Sequence, residues 1–172
     1  VRAVERCGIV VIGSVVDIEK HGGASFWPDR PIGRPIICVT RGMSGDRQRF
    51  TVGHEVGHLV LHQFKPPEPH TAEQQAHRFA GALLLPRDQA LEWIEPPVTL
   101  RTLATVKQRW GISIRALIRR SLDLHLVSDD QRISLEKQVF ARGWAKQEPV
   151  EVAYERPVLL KRLIEMGTGL PI

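Results

Sequence analysis

The chain has 172 residues, 42% of them hydrophobic and 25% charged, with a formal net charge of +5. That is the make-up of a globular protein with one core of ordinary size, or of a main domain with a small helical appendage. No apolar run approaches the ~20 residues that span a bilayer, and VRAVERCGIVVIG lacks a signal-peptide layout, so the expected compartment is the cytoplasm. The two cysteines, Cys7 and Cys38, have no CxxC or Cys/His neighbours, which argues against a disulfide framework or a Cys-based zinc site.

In chain order, VRAVERCG reads as the last turns of a helix closed by Gly8. Residues 8–19, rich in β-branched side chains, predict a strand with a glycine interruption. Residues 25–27 predict a short second strand, and 35–40 (PIICVT) a third that holds Cys38 as a small buried hydrophobe. A turn cluster at 41–46 is followed by helical spacing over 47–64. KPPEPH at 65–70 cannot continue a helix. A second helix is expected from Thr71, with Gln74 in the capping-box position, until Pro86 ends it. Glu95-Pro96-Pro97 marks the expected boundary between a domain at 1–98 and a helical region at 99–172. Residues 100–110 and 114–124, apolar-periodic and joined through Gly111, have the outline of a helix-turn-helix over 99–127. Final helices are expected at 134–146 and 157–166.

The chemistry sits in HEVGHLVLH. On a helix, side chains four apart share a face, so His54 and His58 can grip one metal ion. Glu55 can then take a proton from the attacking water without itself touching the metal. A catalytic zinc needs one more protein ligand. His62 lies about 12 Å along the axis from His54, so a continuous helix carries it past the metal; near a helix C-terminus an imidazole is favoured. The HExxHxxGxxH arrangement is excluded, because its glycine and third histidine are here Leu61 and Phe64. Glu73 heads a stripe completed by Ala76, Ala80, Leu83 and Leu84, which should pack on the first helix. A carboxylate at the end of a buried face needs a partner, which favours ligation. His54, His58 and Glu73 then form a His₂Glu site with an open fourth position, suited to one Zn²⁺ and also to Mn²⁺.

HEVGHLVLH, a proline-containing loop and EQQAHRFAGALLLP together resemble the ImmA/IrrE family of metallopeptidases. Glu73, Ala76, Phe79, Ala80, Leu83, Leu84 and Pro86 match the family's second motif position by position. RQRFTVGHE resembles the approach to its zinc helix, ATVKQRWGISIRALIRRSLDLHLVS its helix-turn-helix-like part, and RGWAKQEPV a tail seen on some members. The matches run from about Gly8 to Val150.

The resemblance implies an α+β fold with a zincin-like core: a small antiparallel sheet, the HExxH helix and a Glu-ligand helix, followed by an all-α part. It implies zinc on His54, His58 and Glu73, and Glu55 as general base. Members cleave helix-turn-helix repressors of the Xre type at specific sites and so switch on stress or mobile-element genes. Some are fused behind a DNA-binding domain, for which a start without Met leaves room. Where the family often has Asn or Asp, four residues after the ligand Glu, this chain has His77. His77 either orients a ligand imidazole or is a surface histidine. His77, His125, Tyr154 and Arg47 are the candidates for an oxyanion donor.

Residues 101–120 carry six cations and no acid. Arg115, Arg119 and Arg120 are the candidates for nucleic-acid contact. The other readings are a solvated basic face above a packed pair of helices, or a dock for an acidic repressor surface.

Overall fold

The computed structural model describes residues 1–15, 18, 22–28, 32–62 and 64–169. The first helix, α1 (Arg2–Arg6), ends where Gly8 takes φ +85° and donates its N–H to the Glu5 carbonyl at 3.0 Å. Three strands follow, β1 (Val10–Ser14), β2 (Gly23–Phe26) and β3 (Ile36–Thr40). The rest of the strand expected over 8–19 falls partly on residues 16, 17 and 19, which lie outside the described residues.

The sheet order is β1-β3-β2. β1 runs parallel to β3, with Val10 opposite Ile36, whereas β2 runs antiparallel, with Gly23 opposite Val39. The sheet is therefore mixed, not antiparallel as expected. Alternation in a strand reports which face is buried and is indifferent to the direction of the neighbouring strand. In β3 the buried set is Ile37 and Val39, which pack with Val11 against Val52 and Leu59.

Those last two residues belong to α2 (Gly45–Leu61), which lies under the sheet and carries the HEVGH segment. Then comes α3 (Pro69–Leu84), two residues ahead of the expected start at Thr71. Pro69 takes the first helical position, where its fixed φ fits and its missing N–H costs nothing. Leu85 is extended before Pro86, as the residue preceding a proline prefers.

The two helices approach closely because small residues face each other. A Cβ on Gly53 would stand 3.5 Å from Ala80 Cα, and one on Gly57 only 3.1 Å from Ala76 Cα. Ala76 and Ala80 are fully buried in this seam, which brings the start of α3 over the centre of α2.

Next along the chain stands α4 (Arg87–Trp93), which sequence patterning did not separate from its surroundings. α5 (Leu100–Trp110) and α6 (Ile114–Asp123) flank Gly111, whose φ of +65° makes the turn. α7 (Asp129–Ala141) begins ahead of the expected residue 134, because Ser128 and Gln131 form a capping box. Leu85, Ala90, Ile94, Leu103, Leu117 and Val139 share a second core, drawn from both sides of position 98.

Residues 148–158 form a strap back to the first core. Gly45 N–H donates to the Val152 carbonyl at 2.8 Å, and the buried Gln48 amide bonds both the N–H and the carbonyl of Glu155 at 2.8 Å. The Glu5 carboxylate receives Val158 N–H at 2.9 Å and Leu159 N–H at 2.8 Å, at the start of α8 (Leu159–Thr168).

Candidate metal centre

Three side chains converge where α2 and α3 meet. His54 Nε2 lies 3.0 Å from His58 Nε2 and 3.2 Å from one oxygen of Glu73. The other oxygen of Glu73 lies 3.3 Å from His58 Nε2. Around a tetrahedral ion with bonds of about 2.0–2.1 Å, ligand atoms stand about 3.3 Å apart, and each of these separations is close to that spacing. The chemistry of the donor set fits as well, since two neutral nitrogens and a carboxylate suit a borderline divalent ion. Among the described residues this is the one group of three or more such side chains that could hold a metal ion.

Accessibility has a direction here. The His54 side chain is 3% exposed, that of His58 24% and that of Glu73 41%, so the cluster is closed beneath and open toward Glu73.

Glu55, beside His54, points up against β2. Ser25 Oγ donates to its carboxylate at 2.6 Å. A Cβ on Gly23 would overlap Thr51 and stand 3.2 Å from Glu55 Oε1, so only a glycine lets the strand sit this low. Burial pushes the Glu55 carboxyl above the ordinary carboxylate range; the Ser25 hydroxyl opposes the shift and the Glu73 carboxylate adds to it. A carboxylate held so is a better proton acceptor than a free one.

His77 spends Nδ1 on the Glu73 carbonyl at 2.7 Å and sets its ring edge-on against His54, with centroids 4.5 Å apart. It touches the site, and its contact with His54 is a ring contact. Of the other candidates for an oxyanion donor, Tyr154 OH lies against Gly13 of β1, on the opposite sheet edge from Ser25, while Arg47 and His125 are exposed. His62 is outside the cluster, as its distance along the helix predicts, yet its Nδ1 is 3.0 Å from Nδ1 of His58. Ser25 and Gln75 are the neighbours that sequence reasoning missed, together with the contact of His62 on His58. For His62 a signal was present, since it repeats the four-residue spacing of the two histidines before it. Ser25 left none, because nothing local ties a strand residue to a helix thirty positions on.

Of the basic candidates, Arg115 and Arg119 are exposed on α6, Arg119 with an Asp123 partner at 3.4 Å. Arg120 is buried, and its Nε donates to the Leu85 carbonyl at 3.1 Å. Lys107 is buried too, between Asp46 and a Glu148 oxygen at 2.9 Å.

A small sheet over a helix with two histidines and a glutamate, crossed by a second helix that brings a carboxylate, is the arrangement of a metallopeptidase. The model of the IrrE N-terminal-like domain, peptidase family M78, matches residues 4–122, a span that includes His54, Glu55, His58 and Glu73. The chain belongs to this ImmA/IrrE family of metallopeptidases. No curated protein sequence matches it.

Proposed function

We propose that the protein is a zinc-dependent endopeptidase that hydrolyses a specific bond in a partner Xre-type helix-turn-helix repressor and so relieves repression of stress or mobile-element genes. The observation that carries the reading is the convergence of the His54, His58 and Glu73 ligand atoms within 3.0–3.3 Å, with Glu55 held beside them. His54, His58 and Glu73 would hold the ion. When bound, it supplies a Lewis acid that polarises the peptide carbonyl and makes a water molecule acidic near neutral pH.

Glu55 accepts the proton of the attacking water and later delivers it to the leaving nitrogen. Ser25 keeps the carboxylate aimed. Substrate enters as an added strand on β2, an edge strand among the described residues, whose Ser25 borders the site. Residues 36–40 cannot serve as that edge, because β3 is the middle strand and is paired on both sides. Family membership supports the choice of a repressor substrate, and the exposed Arg115 and Arg119 supply charge to dock an acidic surface or to contact its DNA.

The deciding experiment is a gel-based cleavage assay on the Xre-type repressor encoded nearest this gene, with zinc content measured on every sample. Discrete fragments are expected from metal-loaded wild type, and none from Glu55→Gln or after chelation, although Glu55→Gln keeps its zinc. Cleavage by Glu55→Gln would remove Glu55 from the mechanism. An intact repressor released from DNA equally by wild type and Glu55→Gln would replace the peptidase with a metal-stabilised regulator that binds without cutting.

A further inference from the structure

His62 and Gln75 form a hydrogen-bonded chain behind the cluster. α2 ends at Leu61, and His62, the capping residue, donates its backbone N–H to the His58 carbonyl at 3.1 Å. Its φ of −108° leaves the helical path, and the side chain stays against that of His58. The two rings are 5.0 Å apart, with Nδ1 facing Nδ1 at 3.0 Å. On its far side, His62 Nε2 stands 3.0 Å from Oε1 of Gln75 on α3.

A neutral imidazole has one donor and one acceptor, and a carbonyl oxygen only accepts. Opposite Gln75 Oε1, therefore, His62 Nε2 carries the proton and His62 Nδ1 is an acceptor. His58 Nδ1 donates to it, which leaves His58 Nε2 as a bare lone pair aimed at the cluster. A reversed Gln75 amide would invert every step and put an N–H on His58 Nε2, where no cation could bind.

On the reading of the cluster as a metal centre, we infer that His62 and Gln75 are positioning residues that fix His58 in its metal-binding tautomer. The chain also orients the His58 ring and raises the basicity of Nε2, as hydrogen-bond partners of metal-ligating imidazoles do. The second helix thus contributes twice, through Glu73 to the ion and through Gln75 to a histidine that faces it.

The test is zinc affinity by chelator competition on wild type, His62→Leu, His62→Asn and Gln75→Leu, with melting of the metal-free proteins as a control for folding. His62→Leu should weaken zinc by about 10- to 100-fold. His62→Asn, whose Oδ1 can take the place of Nδ1 as acceptor, should stay within about 3-fold of wild type. Gln75 is exposed, so Gln75→Leu tests the chain without a risk to the fold; it should weaken zinc less than His62→Leu. Wild-type affinity in His62→Leu, or equal losses in His62→Asn and His62→Leu, would overturn the inference. Failure of wild type to take up zinc at all would sink the metal-centre reading with it, a result distinct from either.

Discussion

Glu55 and Ser25 belong to different elements, and the 2.6 Å bond between them is a contact across the sheet–helix interface. Hydrogen bonds to charged groups contribute about 1.5–3 kcal/mol, so Ser25→Ala should lower kcat by about 10- to 100-fold. Zinc content should be unchanged and KM little altered, because Ser25 touches neither the metal cluster nor, on this reading, the scissile bond. Equal kcat in Ser25→Ala and wild type would mean that the rest of the cradle suffices to hold Glu55. At this scale the grouping of His54, His58 and Glu73 was legible in the sequence, since helical spacing puts the two histidines on one face and the apolar stripe turns Glu73 toward them. His77 was not, because the choice between its own helix backbone and a neighbouring ring depends on distances of a few tenths of an ångström.

The pairing of α2 with α3 depends on two glycines that are not equivalent. At Gly53 an added Cβ makes ordinary contacts of 3.5 Å, while at Gly57 it meets the backbone of Ala76 at 3.1 Å. Gly53→Ala should be neutral or stabilising by up to about 1 kcal/mol, through helix propensity. Gly57→Ala must push α3 outward, at a cost of about 1–3 kcal/mol that the propensity gain offsets only in part. It should also weaken zinc binding, since His58 and Glu73 sit on opposite sides of that seam. Chemical denaturation and a zinc titration of both variants test the contrast, and equal behaviour would refute it. Periodicity, Pro86 and Gly111 place α2, α3, α5 and α6 to within about three residues, whereas α4 has no pattern of its own and α7 starts five residues ahead of its expected place. The starts are set by signals that periodicity does not carry: Pro69 at the first position of α3, and the Ser128–Gln131 capping box ahead of α7. The direction of the β strands had no local signal at all.

Across the whole molecule, the strap joins the C-terminal helices to the metallopeptidase core through a buried ionic group. Lys107 of α5 stands between Asp46 at the start of α2 and Glu148 at the start of the strap, and Glu148 also receives Ile114 N–H at 2.9 Å. Removal of the ammonium leaves a buried carboxylate, Asp46, and a half-buried one, Glu148, without their shared cation, so Lys107→Met should cost about 3–5 kcal/mol of stability in urea. A loss below about 1 kcal/mol, the value of an exposed pair, would show that the group is not closed to water. Burial raises the Asp46 carboxyl, but the hydrogen bonds from Lys107 and Ser44 and the Lys107 charge outweigh it and hold the group below the ordinary range. An acid with a depressed folded pKa contributes stability above its unfolded pKa and loses it as pH falls through the folded one. Wild type should therefore destabilise on acidification below the ordinary carboxylate range, and Lys107→Met should lack that part of the pH dependence.

The sequence by itself determined the residues that can bear the chemistry, because a helix converts spacing into a shared face without help from the rest of the chain. His54, Glu55 and His58 needed nothing more, and Glu73 needed only a second amphipathic helix. Tertiary structure alone decided what surrounds them: Ser25 and Gly23 over Glu55, His62 and Gln75 behind His58, β3 in the middle of a mixed sheet, and Lys107 and Arg120 turned inward. Each is a contact between elements distant along the chain, and its energy depends on how those elements pack, which no local pattern of side chains encodes.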